Sequence, residues 1–463
     1  MTSAPDAAVL PQGGLLKKLL LLAGPVAGSN VLVMLMGLVD SILVGRHSAT
    51  ELAELALAWS LNGTALVATI GLLVGVQVLA ARRYGENNPR SIGLIWRRGI
   101  VTSIGMGFLL AIVLHFGALW ALNHLGQQPD LARGAASCAA ILGLSLLPNA
   151  IYLTCAKTLE ALSRPRVALA LMAGANVVNL ALASYLVPLQ GADGAAWSTL
   201  GARLFLAVGA MIWLLNMPDA KQFGFLDFTT RAAPGEAQEQ VSIGLSAAGS
   251  GILEAGSFNI LTIIAGLAGV VQVGAFNIVM NIMSIGFMPA MGIASATAVI
   301  ASNARGAGDL VGARKIAWMG LGLSGIYAAL FSVVTWVAAK PIASAFTTDP
   351  SLMAYGAVLV GLVWLMAVPD FLQVVAAQAL RALGKPWFPT MSHFVSYVLV
   401  MSPLGWLFCI HFERGARGLV EAVALASIVS AGILVLRLLV LGPISSTEAA
   451  KAVDPQADET LSP

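Results

Sequence analysis

Asp40 stands in the middle of the apolar run GSNVLVMLMGLVDSILVG, and two more acids, Glu254 and Asp370, stand alone in other hydrophobic segments. A carboxylate at membrane depth is costly unless it faces a cavity or a partner. Any fold for this chain must therefore join a hydrocarbon-facing surface to a polar interior at three points. Apolar stretches long enough to cross roughly 30 Å of hydrocarbon recur along nearly the whole length. With 58% hydrophobic and only 10% charged residues, and a mean hydropathy of +0.86, the chain is an integral membrane protein. An outer-membrane barrel is disfavoured, because its strands alternate apolar and polar residues over about 10 positions.

The expected fold class is an all-α integral membrane protein with twelve transmembrane helices in two pseudo-symmetric six-helix lobes. The spans fall near 15–45, 52–81, 94–122, 134–158, 166–188, 192–216, 240–263, 270–301, 313–340, 352–382, 390–412 and 417–443. The longest interior polar stretch, MPDAKQFGFLDFTTRAAPGEAQEQ, divides the chain near its midpoint. The expected organisation is an N-terminal lobe over 1–218, a cytoplasmic linker over 219–239, a C-terminal lobe over 240–446 and a disordered cytoplasmic tail over 447–463. Loops after even-numbered spans hold most of the basic residues, among them Arg82, Arg83, Arg90, Lys157, Arg164, Arg166, Arg305, Arg314, Lys315, Arg381 and Lys385. The opposite side holds only Arg46, Arg133, Lys340, Arg414 and Arg417. By the positive-inside rule both termini are expected in the cytoplasm.

An internal repeat accompanies this alternation. VLAARRYGE matches VIASNARGA with Gly85 against Gly306; QQPDL matches TDPSL with Pro129 against Pro350; LEALSRP matches LRALGKP with Pro165 against Pro386. All three share an offset of 221 residues. Six spans separate the copies, so the repeats are parallel, related by an axis near the membrane normal and able to enclose a central cleft.

Each acid has two readings. Asp40 is either a structural acid hydrogen-bonded within the bundle or an ion- or proton-binding group. Glu254, in SAAGSGILEAGSFNILT, has small neighbours that allow close packing or leave room for a ligand, and Asn259 follows it. Asp370 follows Pro369, whose missing N–H frees a backbone carbonyl beside the acid, a plausible cation site. Glu254 and Asp370 are accordingly the candidate Na+ ligands. Asn176 and Asn179 share one helical face, as do Asn277 and Asn281. These amides, with Gln77, Asn149, Gln373 and Gln378, either hydrogen-bond between helices or line a cavity. Trp59, Met283 and Met288 are candidates for packing or for contact with a greasy substrate.

Other classes of function find little support. Cys138, Cys155 and Cys409 are scattered singly and read as small buried hydrophobes. His115, His124, His393 and His411 read as structural. No GxxxxGK, HExxH or Ser-His-Asp pattern is present, so neither an enzyme nor an ATP-driven pump is expected, and no cofactor is. A formal charge of +3 without a basic polar domain gives nucleic acid no docking surface.

On these residues the chain resembles the multidrug and toxic compound extrusion (MATE) transporters. GLVDSILVG resembles the family's first-helix motif and places its acid at Asp40; LLVGVQVLAARRYGENNP and SATAVIASNARGAGDLVGARK resemble the second-helix end and its C-lobe counterpart. SGILEAGSFNILT and PDFLQVVAAQALRALGKP resemble the seventh- and tenth-helix segments of the NorM-like branch, with acids matching Glu254 and Asp370. The DinF-like branch relies instead on N-lobe acids, and here Asn176 stands in the region where some relatives carry one. The resemblance implies an antiporter of amphipathic, often cationic, organic compounds, working as a monomer by alternating access, with Na+ or H+ as coupling ion. Abundant alanine, and arginine in excess of lysine, suggest a bacterial, GC-rich source, with the inner membrane as the expected location and membrane lipids as expected contacts. The alternative is a lipid or lipid-linked precursor flippase of a related two-lobed superfamily, which would need a strongly basic cleft.

Overall fold

A computed structural model describes residues 12–440 except 126, 231, 232 and 348, and the tail expected over 447–463 lies outside the described residues. Every regular element described is helical: α1 Gln12–His47, α2 Ala49–Gly85, α3 Pro89–His124, α4 Pro129–Ala161, α5 Pro165–Asn216, α6 Ala220–Phe223, α7 Glu236–Leu267, α8 Val270–Gly306, α9 Leu310–Val337, α10 Ala339–Phe346, α11 Pro350–Gly361 and α12 Trp364–Ala382. α13 runs Trp387–His411 with π-helical turns at Phe394–Met401 and Leu407–His411, and α14 is Gly415–Val440. Pro89, Pro129, Pro165 and Pro350 open helices, where a missing backbone N–H costs nothing.

The 52 residues of α5 would extend about 78 Å as one straight helix, more than twice the hydrocarbon thickness. They do not. Gly191 takes φ 57° and ψ −128°, left-handed backbone that favours glycine, and the chain reverses there. Asn179 Nδ2 then donates to Ser198 Oγ at 3.2 Å across the reversal. Among the described residues ten helices are long and apolar enough to cross a membrane; α11 and α12, meeting at 50°, make an eleventh crossing, and the reversal in α5 brings the number to twelve. The expected spans 166–188 and 192–216 are the two arms of that hairpin.

The polar stretch between the lobes is shorter and better packed than a free linker. α7 already begins at Glu236, inside the expected 219–239 segment. Phe223 and Phe225 are buried, Trp96 meets Phe225 edge-on at 5.4 Å, and Arg97 Nη1 donates to the carbonyls of Gly224 (2.6 Å) and Phe225 (3.1 Å). This segment is thereby fastened to α3.

The repeat seen in sequence reappears as matched contacts between lobes. A Cβ on Gly85 would strike the carbonyl oxygen of Asn303, and a Cβ on Gly306 would strike that of Arg82, the residue 221 positions before Asn303. Gly71 and Gly292, again 221 apart, press on Ala248 and Ala27, themselves 221 apart. Small residues let the backbones approach this closely.

The lobes are not joined along their whole height. One apolar core takes in α2 (Leu73, Leu79), α7 (Ile243), α8 (Ile293, Ile300) and α12 (Leu380), all from the halves nearest the basic loops. Toward the opposite end, each lobe has its own core: Val44, Leu55 and Val187 in one, Phe276, Phe371 and Tyr397 in the other. The cleft between the lobes therefore opens away from the basic end.

Candidate functional site

The N-lobe acid is fully enclosed. Asp40 is 1% exposed, and its Oδ2 accepts from Thr199 Oγ1 at 2.7 Å. Asn179 and Ser198, on the two arms of the α5 hairpin and bonded to each other, are also close to the carboxylate. Asp40 Oδ1 and Asn179 Oδ1 are both buried without a partner. A buried oxygen without a donor is unfavourable. A bound proton or cation at Asp40 would supply the partner that Oδ1 lacks.

Arg203, one helical turn beyond Thr199, is the basic group that faces Asp40. Its Nη1 donates to Ser145 Oγ at 2.6 Å, and its guanidinium lies 5.7 Å from the Trp59 ring centroid. Trp59 thus lies against a cation of the protein itself. Asn176 serves differently from Asn179: its Nδ2 donates to Leu32 O (3.1 Å) and Met172 O (2.9 Å), tying α5 to α1.

The C-lobe cluster has two carboxylates. Gln373 Nε2 donates to Asp370 Oδ1 at 2.7 Å and also to the Tyr397 hydroxyl, while Ser427 Oγ reaches Asp370 Oδ1 at 3.5 Å. Glu254, half-buried, is near Tyr397, and the charged groups around it are Asp370 and Arg381. Tyr397 sits in the π-helical stretch of α13, a local widening that turns side chains away from ordinary helical register. Arg381 is 4% exposed and donates from Nη2 to Ser250 Oγ at 2.7 Å. It is no loop residue, as its place in the basic-loop series implied; it is buried in the last turn of α12, and Glu254 is the acid near it.

Two carboxylates, an amide and two hydroxyls make an oxygen-rich surrounding suited to a hard cation or a proton. Among the described residues, no group of three or more His, Cys, Asp or Glu side chains is placed to hold a metal ion. An ion at Glu254 and Asp370 would complete its shell from Tyr397, backbone carbonyls or water. The repeat relates the clusters only in part: Asn149 stands 221 positions before Asp370, and Asn176 stands 221 before Tyr397. Asn149 is 8% exposed with no partner for its Nδ2.

The remaining candidates separate by place. Asn259, Asn277 and Asn281 are exposed, and Asn281 Nδ2 donates to Asn277 O at 2.9 Å. With Ser284 the last two form an exposed polar strip on the half of α8 away from the basic end, which suits a wet cleft better than hydrocarbon. Met288 is half-buried, whereas Met283 is 7% exposed and packs in the C-lobe core. Gln378 is 8% exposed with its Oε1 unpartnered.

Gln77 turns out to belong to a junction between lobes. Its Nε2 donates to Glu160 Oε2 (2.6 Å) and Ser295 Oγ (2.5 Å); Ser295 Oγ and Lys157 Nζ also donate to Glu160 Oε2, at 2.7 and 3.0 Å. Ion pairs continue this junction toward the basic loops: Arg82 holds both oxygens of Glu239 (2.8 and 2.6 Å), and Arg83 and Arg98 reach Glu236 at 2.8 and 3.2 Å. The sequence showed Arg82, Arg83 and Lys157 only as loop cations and gave no sign of their acidic partners Glu160, Glu236 and Glu239.

Two walls, each holding buried carboxylates, diverge from a fastened basic end, and the same architecture is known elsewhere. The MatE family profile matches residues 25–185 and again 247–407, one stretch in each lobe. The chain belongs to the MATE family. Curated relatives include the probable multidrug resistance protein NorM of Caulobacter vibrioides, 39% identical over 431 residues, covering 92% of this chain and 91% of that one. The protein of the same name from Deinococcus radiodurans is 30% identical over 428 residues, covering 87% and 90%. The NorM-like reading of the sequence is borne out. Among solved structures, the eukaryotic MATE transporter AtDTX14 superposes with a TM-score of 0.85 at 19% identity, covering 95% of this chain and 98% of its own. A MATE protein in the bent conformation gives 0.86 at 17%, covering 95% and 99%. These likenesses are of fold.

Proposed function

We propose that this MATE protein is a secondary active antiporter that exports amphipathic, often cationic, organic compounds in exchange for inward Na+ or H+. The observation that carries this reading is a carboxylate in the wall of each lobe, buried Asp40 with an unpartnered Oδ1 in one and buried Asp370 beside half-buried Glu254 in the other, flanking a cleft open at one end only. The relatives named as multidrug resistance proteins support the same cargo class.

The basic end faces the cytoplasm by the positive-inside rule, both termini with it, and the membrane is a bacterial inner membrane. The cleft then opens outward. In this state an external cation reaches the clusters: a proton or Na+ at Asp40 takes up Oδ1, and one at Glu254 and Asp370 relieves the repulsion of two neighbouring acids. Cation occupancy favours substrate release and closure of the open end. Parting of the Gln77–Glu160–Ser295 junction and the Arg82–Glu239 pair then exposes the clusters to the cytoplasm. One elementary charge moved across 100 mV supplies about 2.3 kcal/mol, enough to support a concentration ratio of roughly fifty.

The flippase alternative finds less support. It would need free basic groups in the cleft, and the two buried arginines, Arg203 and Arg381, each face a carboxylate. The deciding test is efflux of a fluorescent lipophilic cation from proteoliposomes under separately imposed Na+ and pH gradients. The antiporter reading requires transport driven by at least one of them and abolished in Asp40→Asn or Asp370→Asn.

A further inference from the structure

We propose that a cavity at the basic end of the N-terminal lobe binds the phosphodiester headgroup of an anionic phospholipid. The cavity, of about 530 Å³, lies between the first turns of α1, the turn joining α4 to α5 and the far end of α5. Three basic side chains converge on it: Lys18 from α1, and Arg164 and Arg166 from the turn and the start of α5.

Their charge is only partly neutralised. Arg164 is ion-paired to Asp219, and its Nη1 lies 3.4 Å from Met217 Sδ. Among the described residues Lys18 and Arg166 have no ion-pair partner within 4.0 Å. Two uncompensated cations beside one compensated pair suit a phosphodiester, which carries a single negative charge. The rest of the wall is apolar: Leu21, 48% exposed, continues onto the outer surface of α1, and Val167 and Trp213 complete it. A soluble anion gains nothing from these groups, whereas a phospholipid lays its glycerol and upper acyl carbons along them. Trp is favoured at this depth, and basic pockets between transmembrane helices are places where anionic headgroups collect. The site belongs to the lipid-facing surface and is separate from the cleft. It rests on the chain's spanning a membrane and not on which ion or cargo is carried.

The test is titration of the full-length protein in neutral detergent with dioleoyl phosphatidylglycerol and dioleoyl phosphatidylcholine, read by native mass spectrometry. The Lys18→Gln/Arg166→Gln pair is compared with Arg314→Gln/Lys315→Gln, an equal loss of charge near the start of α9 at the same end. Val167→Trp fills the cavity with all charges kept and stands in if the double variant misfolds. The expected result is a preference for phosphatidylglycerol that falls about 30-fold in the Lys18/Arg166 variant, from about 1 kcal/mol per basic side chain. It also falls at least several-fold in Val167→Trp and changes less than 2-fold in the Arg314/Lys315 control. Equal losses in the two double variants would overturn the proposal in favour of diffuse surface charge. So would equal binding of the two lipids, or full displacement of phosphatidylglycerol by an equal concentration of glycerophosphoglycerol.

Discussion

Glu160 of the N-terminal lobe and Ser295 of the C-terminal lobe are hydrogen-bonded at 2.7 Å, with Gln77 closing the triangle from α2. Glu160 is 8% exposed and Ser295 7%, so the bond is shielded from competing water. It lies in the part of the molecule where the two lobes share one core. The junction must break for the cleft to open at its other end, so its strength sets the balance between the two states.

Glu160→Ala removes the acceptor and leaves Gln77, Ser295 and Lys157 with unused donors. Leaving buried polar groups unsatisfied costs roughly 1–3 kcal/mol. The expected outcome is a lower melting temperature in detergent, together with a broader distance distribution between spin labels on the basic ends of α2 and α8. An unchanged distribution would mean that the ion pairs of Arg82 and Arg83 hold the lobes together without it.

Backbone contact at Gly85 and Gly306 gives a sharper probe. A methyl group at Gly85 meets the Asn303 carbonyl, backbone that has no room to yield. Gly85→Ala is expected to push the basic ends apart and to slow transport at least several-fold, and Gly306→Ala to do the same by symmetry. Cross-linking of engineered cysteines across α2 and α8 measures the separation.

Tyr397→Phe deletes the hydroxyl that accepts from Gln373 and lies beside Glu254. The helix remains packed, since the ring is fully buried in the C-lobe core. A loss of roughly ten-fold or more in cation-driven efflux with a melting temperature within a few degrees of the parent is the expected result. A large drop in stability with normal transport would make Tyr397 a packing residue only.

Thr199→Val keeps side-chain volume and removes the one hydroxyl donating to Asp40. The expected outcome is slower transport that is still gradient-driven, whereas Asp40→Asn removes coupling altogether. Comparing the two in the same vesicles separates tuning of the acid from its presence.

The sequence carried the fold further than it carried the site. Hydropathy located the twelve crossings, including both arms of the α5 hairpin, because each arm is predominantly apolar and long enough to cross, and Gly191 lies between them. The offset of 221 residues pointed to Gly85 and Gly306, and their close approach is a direct consequence of that symmetry. Isolated acids were visible because a carboxylate in an apolar run has no packing role. Thr199, Ser198 and Ser295 were not visible, since a hydroxyl in a helix of small residues looks like any other small packing residue until a partner helix brings an acid to it. Tyr397 was hidden as an aromatic in an apolar run, although the offset that carries Asn149 to Asp370 also carries Asn176 to Tyr397. Arg381 was assigned to a loop because Gly384 and Lys385 follow so closely; its last turn of α12 is buried instead. Met283 and Gln77 show the converse, residues legible as cleft candidates that serve a core and an interlobe junction.

Coupling is tested most directly by counterflow: vesicles holding the purified protein and a pH-sensitive dye, or loaded for sodium-22 flux, are given substrate on one side with no ion gradient imposed. The account predicts substrate-evoked movement of H+ or Na+ in the opposite direction, absent in Asp40→Asn and Asp370→Asn. Substrate movement with no opposing cation flux, equal in the parent and both variants, would contradict it.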